Sequence, residues 1–147
     1  YDNFNAYGLF KHRHTPEIEE TLGNLAGSKV SLVFTPHLLP VSRGILTTSY
    51  ARPSSSFKAD SLQSLYKEFY EKDDFVRIVD RLPSVKEVRG SNYCRIFVDY
   101  DERTHRIVAV SVIDNLVKGA AGQAIQNMNL MFDLEENTGL KHIPLTP

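Results

Sequence analysis

The sequence has 147 residues, of which 41% are hydrophobic, and its 17 Lys plus Arg and 18 Asp plus Glu give a formal net charge of -1. This length suits one hydrophobic core, so we expect a single domain over residues 1–147. The mixed charges exclude the basic face typical of nucleic-acid binding, and no apolar run approaches the roughly 20 residues that span a bilayer. We therefore expect a soluble cytoplasmic protein that binds neither nucleic acid nor a membrane.

The single cysteine and the first residue indicate the context of the chain. Cys94 is the only cysteine, which excludes an intramolecular disulfide and suits a reducing compartment. The sequence starts at Tyr1 rather than at a methionine, and its Met residues are Met128 and Met131. We expect these residues to be part of a longer protein.

The N-terminal stretch YDNFNAYGLFKHRH predicts an extended segment followed by a helix. Its aromatic and polar residues recur with a period near two, which favours a strand. Thr15, Pro16 and Glu17 then predict a helix start: Thr is a good N-cap, Pro suits the first helical position, and Glu complements the helix dipole. Gly23 is expected to help end this helix. Its apolar residues share one face: Ile18, Leu22 and Leu25.

Two strands are predicted before the middle of the chain. KVSLVFTP, residues 29–36, alternates in the manner of a strand, and Pro36 ends it because proline has no N–H to donate. Gly44–Ala51 follows the turn LLPVSR and is rich in Thr and other strand-forming residues. RPSSSFKA, residues 52–59, is expected to be a loop.

Ser61–Glu71 predicts a second helix. Asp60 is a suitable N-cap, and Gln63 is placed for the return bond of a capping box. The apolar residues have the three-four spacing of one buried face. These residues are Leu62, Leu65, Tyr66 and Phe69.

The remaining elements are a short strand, a hairpin and a third helix. FVRIVD, residues 75–80, predicts the strand, and RLPSVKEVRGSN after it is irregular. YCRIFVDY and RIVAVSVID flank DERTH, which predicts an antiparallel hairpin. KGAAGQAIQNMNLMFDL predicts a helix that ENTGL ends. Its expected core face is Ala121, Ala124, Ile125, Met128, Met131 and Phe132.

This order of elements predicts an α+β fold. Strands and helices are mixed without regular alternation, which indicates a mostly antiparallel or mixed sheet with helices on one face. The other face of such a sheet also needs a cover, so we expect a partner subunit or another domain to supply it.

His12 and His14 are the first candidates for chemistry. If the chain is extended there, the two imidazoles point to the same side and can act as a base, an electrophile or a metal-ligand pair. An equally good alternative is that one ring is exposed and the other is hydrogen-bonded for structural reasons. A zinc site would need a third ligand such as His37 or Glu17, and the sequence lacks HExxH and cysteine pairs. We therefore expect no metal.

Two further segments carry candidate binding residues. Arg43 precedes a glycine at a strand start, where a guanidinium can grip a phosphate or carboxylate, although a surface ion pair is the commoner role. KGAAGQ places Lys118 and Gly119 at a helix start that suits an anion or a cofactor amide, although its small residues may equally serve close backbone packing. Asn115 is another polar candidate.

The sequence offers no convincing nucleophile. Cys94 lies inside a predicted strand, with no helix N-terminus nearby to lower its pKa, so we interpret it as a packing residue. The residues by themselves therefore indicate half of a ligand-binding site.

Several long motifs occur in order along nearly the whole chain: AYGLFKHRHTPEIE, FTPHLLPVSRGILTT, GSNYC, VIDNLVKGAAGQAIQNMNLMF and TGL. Together they resemble the N-acetyl-gamma-glutamyl-phosphate reductase family. The resemblance implies a glyceraldehyde-phosphate-dehydrogenase-like C-terminal domain that carries part of the active site and the dimer interface. The glycine fingerprint of the family's NADP-binding Rossmann domain is absent, and Cys94 does not match the family's Pro-Gly-Cys nucleophile.

The resemblance also implies a reaction. In the full enzyme, a cysteine thiolate attacks an acyl phosphate, phosphate leaves, and NADPH reduces the thioacyl group to the semialdehyde of arginine biosynthesis. The isolated segment would be inactive, and the full enzyme would be a homodimer or homotetramer. The alternative is a stand-alone ligand-binding or dimerisation module without catalysis.

The family motifs imply roles for seven residues. His14 would be the acid/base, with His12 beside it as a substrate contact or orienting group. Tyr7 and Arg43 would contact the substrate. The border of the nicotinamide pocket would be formed by Asn115, Lys118 and Gly119.

Overall fold

The computed structural model describes residues 2–54 and 57–145, in two compact units formed by residues 1–42 and 43–147. The expected single domain stays a prediction. Two residues of the expected loop 52–59, Ser55 and Ser56, lie outside the described residues.

The first unit contains two short strands and one helix. Strand β1 (Asn5–Ala6) pairs antiparallel with β2 (His37–Leu38). Helix α1 runs His14–Ala26 between them. None of its residues is buried, and Leu22 and Leu25 of the expected apolar face are 40% and 81% exposed.

The extended segment expected before this helix is wrong beyond β1. Gly8 and Phe10 have φ angles of 59° and 60°, so the chain turns there in the left-handed region. The Lys11 N–H then donates to the Gly8 carbonyl at 2.9 Å. Because the chain has already turned, α1 begins at His14 with Arg13 at the N-cap, and Thr15 is not the cap.

The predicted end of α1 is also wrong. Gly27, not Gly23, ends the helix: its φ is 62°, and its N–H returns to the Gly23 carbonyl. This is the left-handed glycine cap that commonly terminates helices. Gly23 supplies the acceptor of the cap from inside the last turn.

The predicted strand at residues 29–36 is absent, although its alternation is present. Val30, Leu32 and Phe34 are half-buried, and the residues between them are exposed. The Leu32 N–H donates to the Glu19 carboxylate at 3.0 Å instead of to a neighbouring strand. The side-chain pattern therefore describes an extended segment, but no ladder accompanies it here.

The second unit is built on a four-stranded mixed sheet in the order β3-β6-β5-β4. The strands are β3 (Ile45–Ala51), β4 (Val76–Ile78), β5 (Cys94–Asp101) and β6 (Arg106–Ile113). Both β3 and β5 pair antiparallel with β6, whereas β4 pairs parallel with β5. The predicted strands and the antiparallel hairpin around DERTH are confirmed.

The core of this unit is small. Its buried hydrophobic residues are Leu62, Phe75, Val88, Val98, Val110, Val112 and Leu140. All residues of β3 are exposed, so this strand forms an uncovered part of the sheet.

Helix α2 (Leu62–Phe69) confirms the second predicted helix within a shorter range. A 3₁₀ turn at Ala59–Ser61 precedes it, so Asp60 lies inside that turn and Ser61 occupies the N-cap without a side-chain bond. Only Leu62 of the predicted face is buried. Leu65 and Phe69 are 56% and 74% exposed, so the predicted buried face is wrong for these residues.

Helix α3 (Gly122–Met131) follows a π-helical turn at Val117–Ala121. The helix is confirmed, but its predicted core face is wrong. Gln126 and Asn129 are buried, and the apolar residues lie on the exposed side. The exposed residues are Ala121, Ala124, Ile125, Met128, Met131 and Phe132.

The polar side of α3 can be buried because its side chains find hydrogen-bond partners in the interior. The Asn129 side-chain amide donates to the Glu136 and Thr138 carbonyls at 3.0 Å each. The Gln126 amide donates to Glu136 Oε1 at 2.5 Å and accepts from Asn92 at 2.9 Å. Buried polar groups with such partners carry little penalty.

A substitution at Gly122 can test the close packing at the start of α3. A Cβ at this position would lie 2.3 Å from Asn92 Oδ1 and 2.8 Å from the Val117 carbonyl oxygen. We expect Gly122→Ala to lower the free energy of unfolding by about 2 kcal/mol, because buried Asn92 would have to move. Chemical denaturation measures this change.

Gly119→Ala is the matched control, one turn earlier. Its Cβ would make only ordinary contacts, the nearest at 3.5 Å to Ile113 Cδ1. We expect it to be neutral or to stabilise by up to about 1 kcal/mol through helix propensity. Equal effects of the two substitutions would contradict the close packing at Gly122.

Candidate functional site

The candidate residues of the first unit form an aromatic cluster around His12. Its ring centroid lies 5.3 Å from Tyr7, 4.9 Å from His14 and 5.2 Å from Phe34, each in an edge-on arrangement. The turn at Gly8 and the start of α1 bring these side chains together. The two imidazoles are therefore neighbours, but the strand geometry expected for them is wrong.

The two histidines have different surroundings. The His14 backbone N–H donates to His12 Nδ1 at 3.2 Å, which occupies one nitrogen of His12 and orients the ring. His12 is half-buried, whereas His14 is exposed. Neutral His12 therefore carries its proton on Nε2, and the His14 ring is open to a ligand.

Arg43 lies at the start of β3 and binds Asp114 rather than standing alone. Its Nη2 donates to Asp114 Oδ1 at 3.0 Å, and its Nε lies 2.9 Å from Asp114 Oδ2. The Asp114 side chain is 0% exposed and that of Arg43 is 26% exposed. The guanidinium thus already serves a buried carboxylate.

Asp114 was not among the sequence candidates. Burial acts to raise its pKa, but hydrogen bonds from the Gly90, Leu116 and Val117 N–H groups and from Arg43 outweigh burial and lower it. The carboxylate therefore stays ionised at neutral pH. The position of an Asp directly after a strand and before a helix start was the signal available in the sequence.

Asn115 lies just before the π-helical turn, and Lys118 and Gly119 lie within it. The Asn115 Oδ1 accepts from the Gly44 N–H at 2.6 Å, and the Gly119 N–H donates to the Asp114 carbonyl at 3.0 Å. Gly119 is exposed and Asn115 is half-buried. The structure therefore brings the three predicted cofactor-contacting residues together on one turn.

Lys118 is directed toward the interior. Its Nζ donates to Gln126 Oε1 at 2.7 Å and lies 5.5 Å from the ring centroid of Phe75. Burial lowers its pKa, and electrostatic interactions with Cys94, when that thiol is ionised, and with Glu136 and Asp73 act in the opposite direction. This ammonium group is part of a polar network that also contains Asn92.

The described part of the chain contains neither a metal-binding cluster nor a membrane-spanning helix. Residues 2–54 and 57–145 contain no group of three or more His, Cys, Asp or Glu placed to hold a metal ion. Within the same residues, no helix is both long and apolar enough to cross a membrane.

Comparison with solved structures identifies the fold. An aspartate semialdehyde dehydrogenase II structure from Vibrio cholerae superposes with a TM-score of 0.67 and 19% identity, covering 90% of this chain and 40% of that one. This likeness confirms the predicted α+β fold class, that of a dehydrogenase-type α+β domain.

Comparison with related sequences identifies the protein family. The profile of the semialdehyde dehydrogenase dimerisation domain matches residues 1–115, and the chain belongs to that family. An N-acetyl-gamma-glutamyl-phosphate reductase from Bacillus mycoides is 52% identical over 100% of this chain, and one from Desulfotalea psychrophila is 53% identical over 99% of it. The resemblance seen in the motifs is confirmed. The chain spans 43% of the length of each of these relatives.

The histidine environments predict opposite tautomers. Neutral His12 should carry its proton on Nε2, because Nδ1 accepts from His14. Neutral His37 should carry it on Nδ1, because that nitrogen lies 3.2 Å from the Thr35 carbonyl, which only accepts. Side-chain ¹⁵N chemical shifts at a pH where both rings are neutral measure this difference, and the same tautomer at both rings would contradict it.

The surroundings of Cys94 predict how readily its thiol is alkylated. Burial raises the pKa of its thiol, while Lys118 acts to lower it. Since the thiolate is the nucleophile, alkylation by iodoacetamide at pH 7 should be slower in the folded protein than in urea, and its rate should rise at alkaline pH.

The lysine part of this prediction has its own control. Lys118→Met should slow alkylation of Cys94 further, because it removes the positive charge that favours the thiolate. Lys67→Met, which alters a surface pair with Asp80, should leave the rate unchanged. Faster alkylation in Lys118→Met would disprove the assigned charge effect.

Proposed function

We propose that this chain is the histidine-bearing part of a cytoplasmic NADP-dependent N-acetyl-gamma-glutamyl-phosphate reductase. The observation that carries the proposal is an identity near 50% along essentially the whole chain to reductases of that name. The substrate would be N-acetyl-glutamyl 5-phosphate, and the products would be the 5-semialdehyde and phosphate.

The nucleophilic cysteine of this reaction would lie outside residues 1–147. Its thiolate would attack the acyl carbon, and the C–O bond to phosphate would break. NADPH, when bound, supplies the hydride that reduces the resulting thioester. The carbonyl oxygen gains a proton on reduction and loses it again when the C–S bond breaks, so the active site needs an acid/base.

His14 is the group we propose for this proton transfer. Its ring is exposed, and its backbone N–H binds His12 Nδ1, so the two residues are held together. His12 would orient the pair or contact the substrate, and Tyr7, edge-on to His12, would add a polar contact. An open imidazole beside a fixed one supports this division of roles.

The substrate anion and the cofactor would use residues of the second unit. Arg43 is the proposed contact for the substrate anion, and its guanidinium would have to serve Asp114 at the same time. The exposed backbone at Gly119 and Ala120 carries little side-chain bulk. With Asn115 and Lys118 on the same turn, these residues fit the border of a pocket for a nicotinamide amide.

We also propose that the full protein joins this chain to its own Rossmann domain and forms a homodimer or homotetramer. The family description names a dimerisation domain. Exposed apolar side chains support such contacts, because contiguous apolar surface commonly marks an interface. These side chains include Leu46 and Tyr50 on β3 and Met128, Met131 and Phe132 on α3.

The acid/base role is tested in the full-length protein. His14→Asn should reduce the turnover number for phosphate-dependent NADP reduction with the semialdehyde by about a hundredfold or more, the usual contribution of a general acid/base. Steady-state kinetics across pH 6–9 measure the loss.

His142→Asn is the control because it changes an exposed histidine near the end of the described chain. It should retain wild-type turnover, and both variants should melt at the wild-type temperature. Near-normal turnover in a folded His14→Asn protein would rule out the proposed acid/base.

A further inference from the structure

The Asp114 carboxylate connects three separate segments of the second unit. Its Oδ2 accepts from the Gly90 N–H at 2.6 Å, and its Oδ1 accepts from the Leu116 and Val117 N–H groups at 2.9 and 3.2 Å. The Arg43 guanidinium contacts both oxygens. One side chain thus holds the start of β3, the loop before β5 and the start of the π-helical turn.

The contacts with Leu116 and Val117 resemble a helix cap. The first N–H groups of a helical segment have no acceptor within it, and a preceding Asp commonly supplies one. The Asp114 main-chain carbonyl adds a bond from the Gly119 N–H at 3.0 Å. The side chain and the main-chain carbonyl of Asp114 therefore both accept hydrogen bonds from residues 116–119.

Asn115 repeats the connection to β3. Its side-chain oxygen accepts from the Gly44 N–H at 2.6 Å, directly beside the Arg43 bound by Asp114. Asp114 and Asn115 thus bind the adjacent residues Arg43 and Gly44. This double connection restricts rotation of the segment that carries Asn115, Lys118 and Gly119.

We propose that Asp114 is a positioning residue that holds residues 115–119 in the conformation needed to border the nicotinamide pocket. The inference rests on the proposed function, because it concerns the same pocket. Asp114 itself is 0% exposed and would not touch the cofactor. Its effect would be transmitted through the backbone it binds.

The test uses the full-length protein and the variant Asp114→Asn. An asparagine amide lacks the negative charge and cannot accept with both of its terminal atoms, so some of the bonds must be lost. We expect the Kd for NADPH, measured by fluorescence titration, to rise at least about tenfold. A change of this size corresponds to the free energy of one hydrogen bond to a charged group. The KM for NADP should rise with the Kd.

Amide hydrogen exchange supplies a readout that does not depend on the cofactor. Protection of the Leu116 and Val117 N–H groups should fall at least about tenfold in Asp114→Asn without NADPH. Unchanged exchange, or changed exchange with unchanged NADPH affinity, would overturn the positioning role. A wild-type protein that binds no NADPH would instead refute the proposed function, and exchange would still report whether Asp114 holds the segment.

Two further variants keep the test decisive. Arg43→Gln leaves the three backbone bonds of Asp114 in place, so it should fold and should weaken NADPH binding less than Asp114→Asn. Asp101→Asn is the matched control, because that carboxylate also accepts backbone N–H groups, from Arg103 and Thr104, but in the β5–β6 connection. Equal loss of NADPH affinity in Asp101→Asn and Asp114→Asn would also overturn the proposal.

Discussion

The second unit depends on the burial of one ionised carboxylate. An isolated charge in a protein interior is strongly unfavourable, so the buried Asp114 carboxylate needs hydrogen-bond donors around it. Those donors come from Arg43, Gly90, Leu116 and Val117, which belong to three segments. The same constraint that ties these segments together places the candidate residues 115–119. The stability of the unit and the conformation of residues 115–119 therefore depend on the same contacts.

A second polar network extends this constraint into α3. Gln126 lies between Asn92, Lys118 and Glu136, and it is more deeply buried than any apolar residue of the helix. The unit thus adds directional polar contacts to its small hydrophobic core. The apolar side of α3 remains exposed.

The sequence predicted the sheet better than it predicted the helix faces. The hairpin was predictable because two strongly alternating segments flank a short polar connection, and the local pattern agrees with the pairing. The α3 face was not, because periodicity shows which side of a helix is apolar but not whether this unit or another surface covers it. The strand at residues 29–36 failed for a related reason: alternation predicts an extended chain, whereas a ladder also needs a neighbouring strand.

The candidate site shows the same division. Motif resemblance pointed to His12, His14 and the segment around Lys118, and these residues do cluster within their own units. Asp114 was missed because a lone Asp has no periodicity, and two of its donors, Arg43 and Gly90, are distant in sequence. The left-handed turn at Phe10 was also unpredictable, because a non-glycine residue there carries no local signal.

The β5–β6 hairpin has a consequence for the order of folding. Its strands are joined by residues 102–105, so closing that loop costs little conformational entropy. Strand β3 pairs with β6 across a long intervening segment, with Ala51 opposite Ile107. Contacts between sequence neighbours form faster than distant ones, so the hairpin is the expected nucleus and β3 the late addition. Substitutions in the hairpin would then slow folding, whereas those in β3 would mainly speed unfolding.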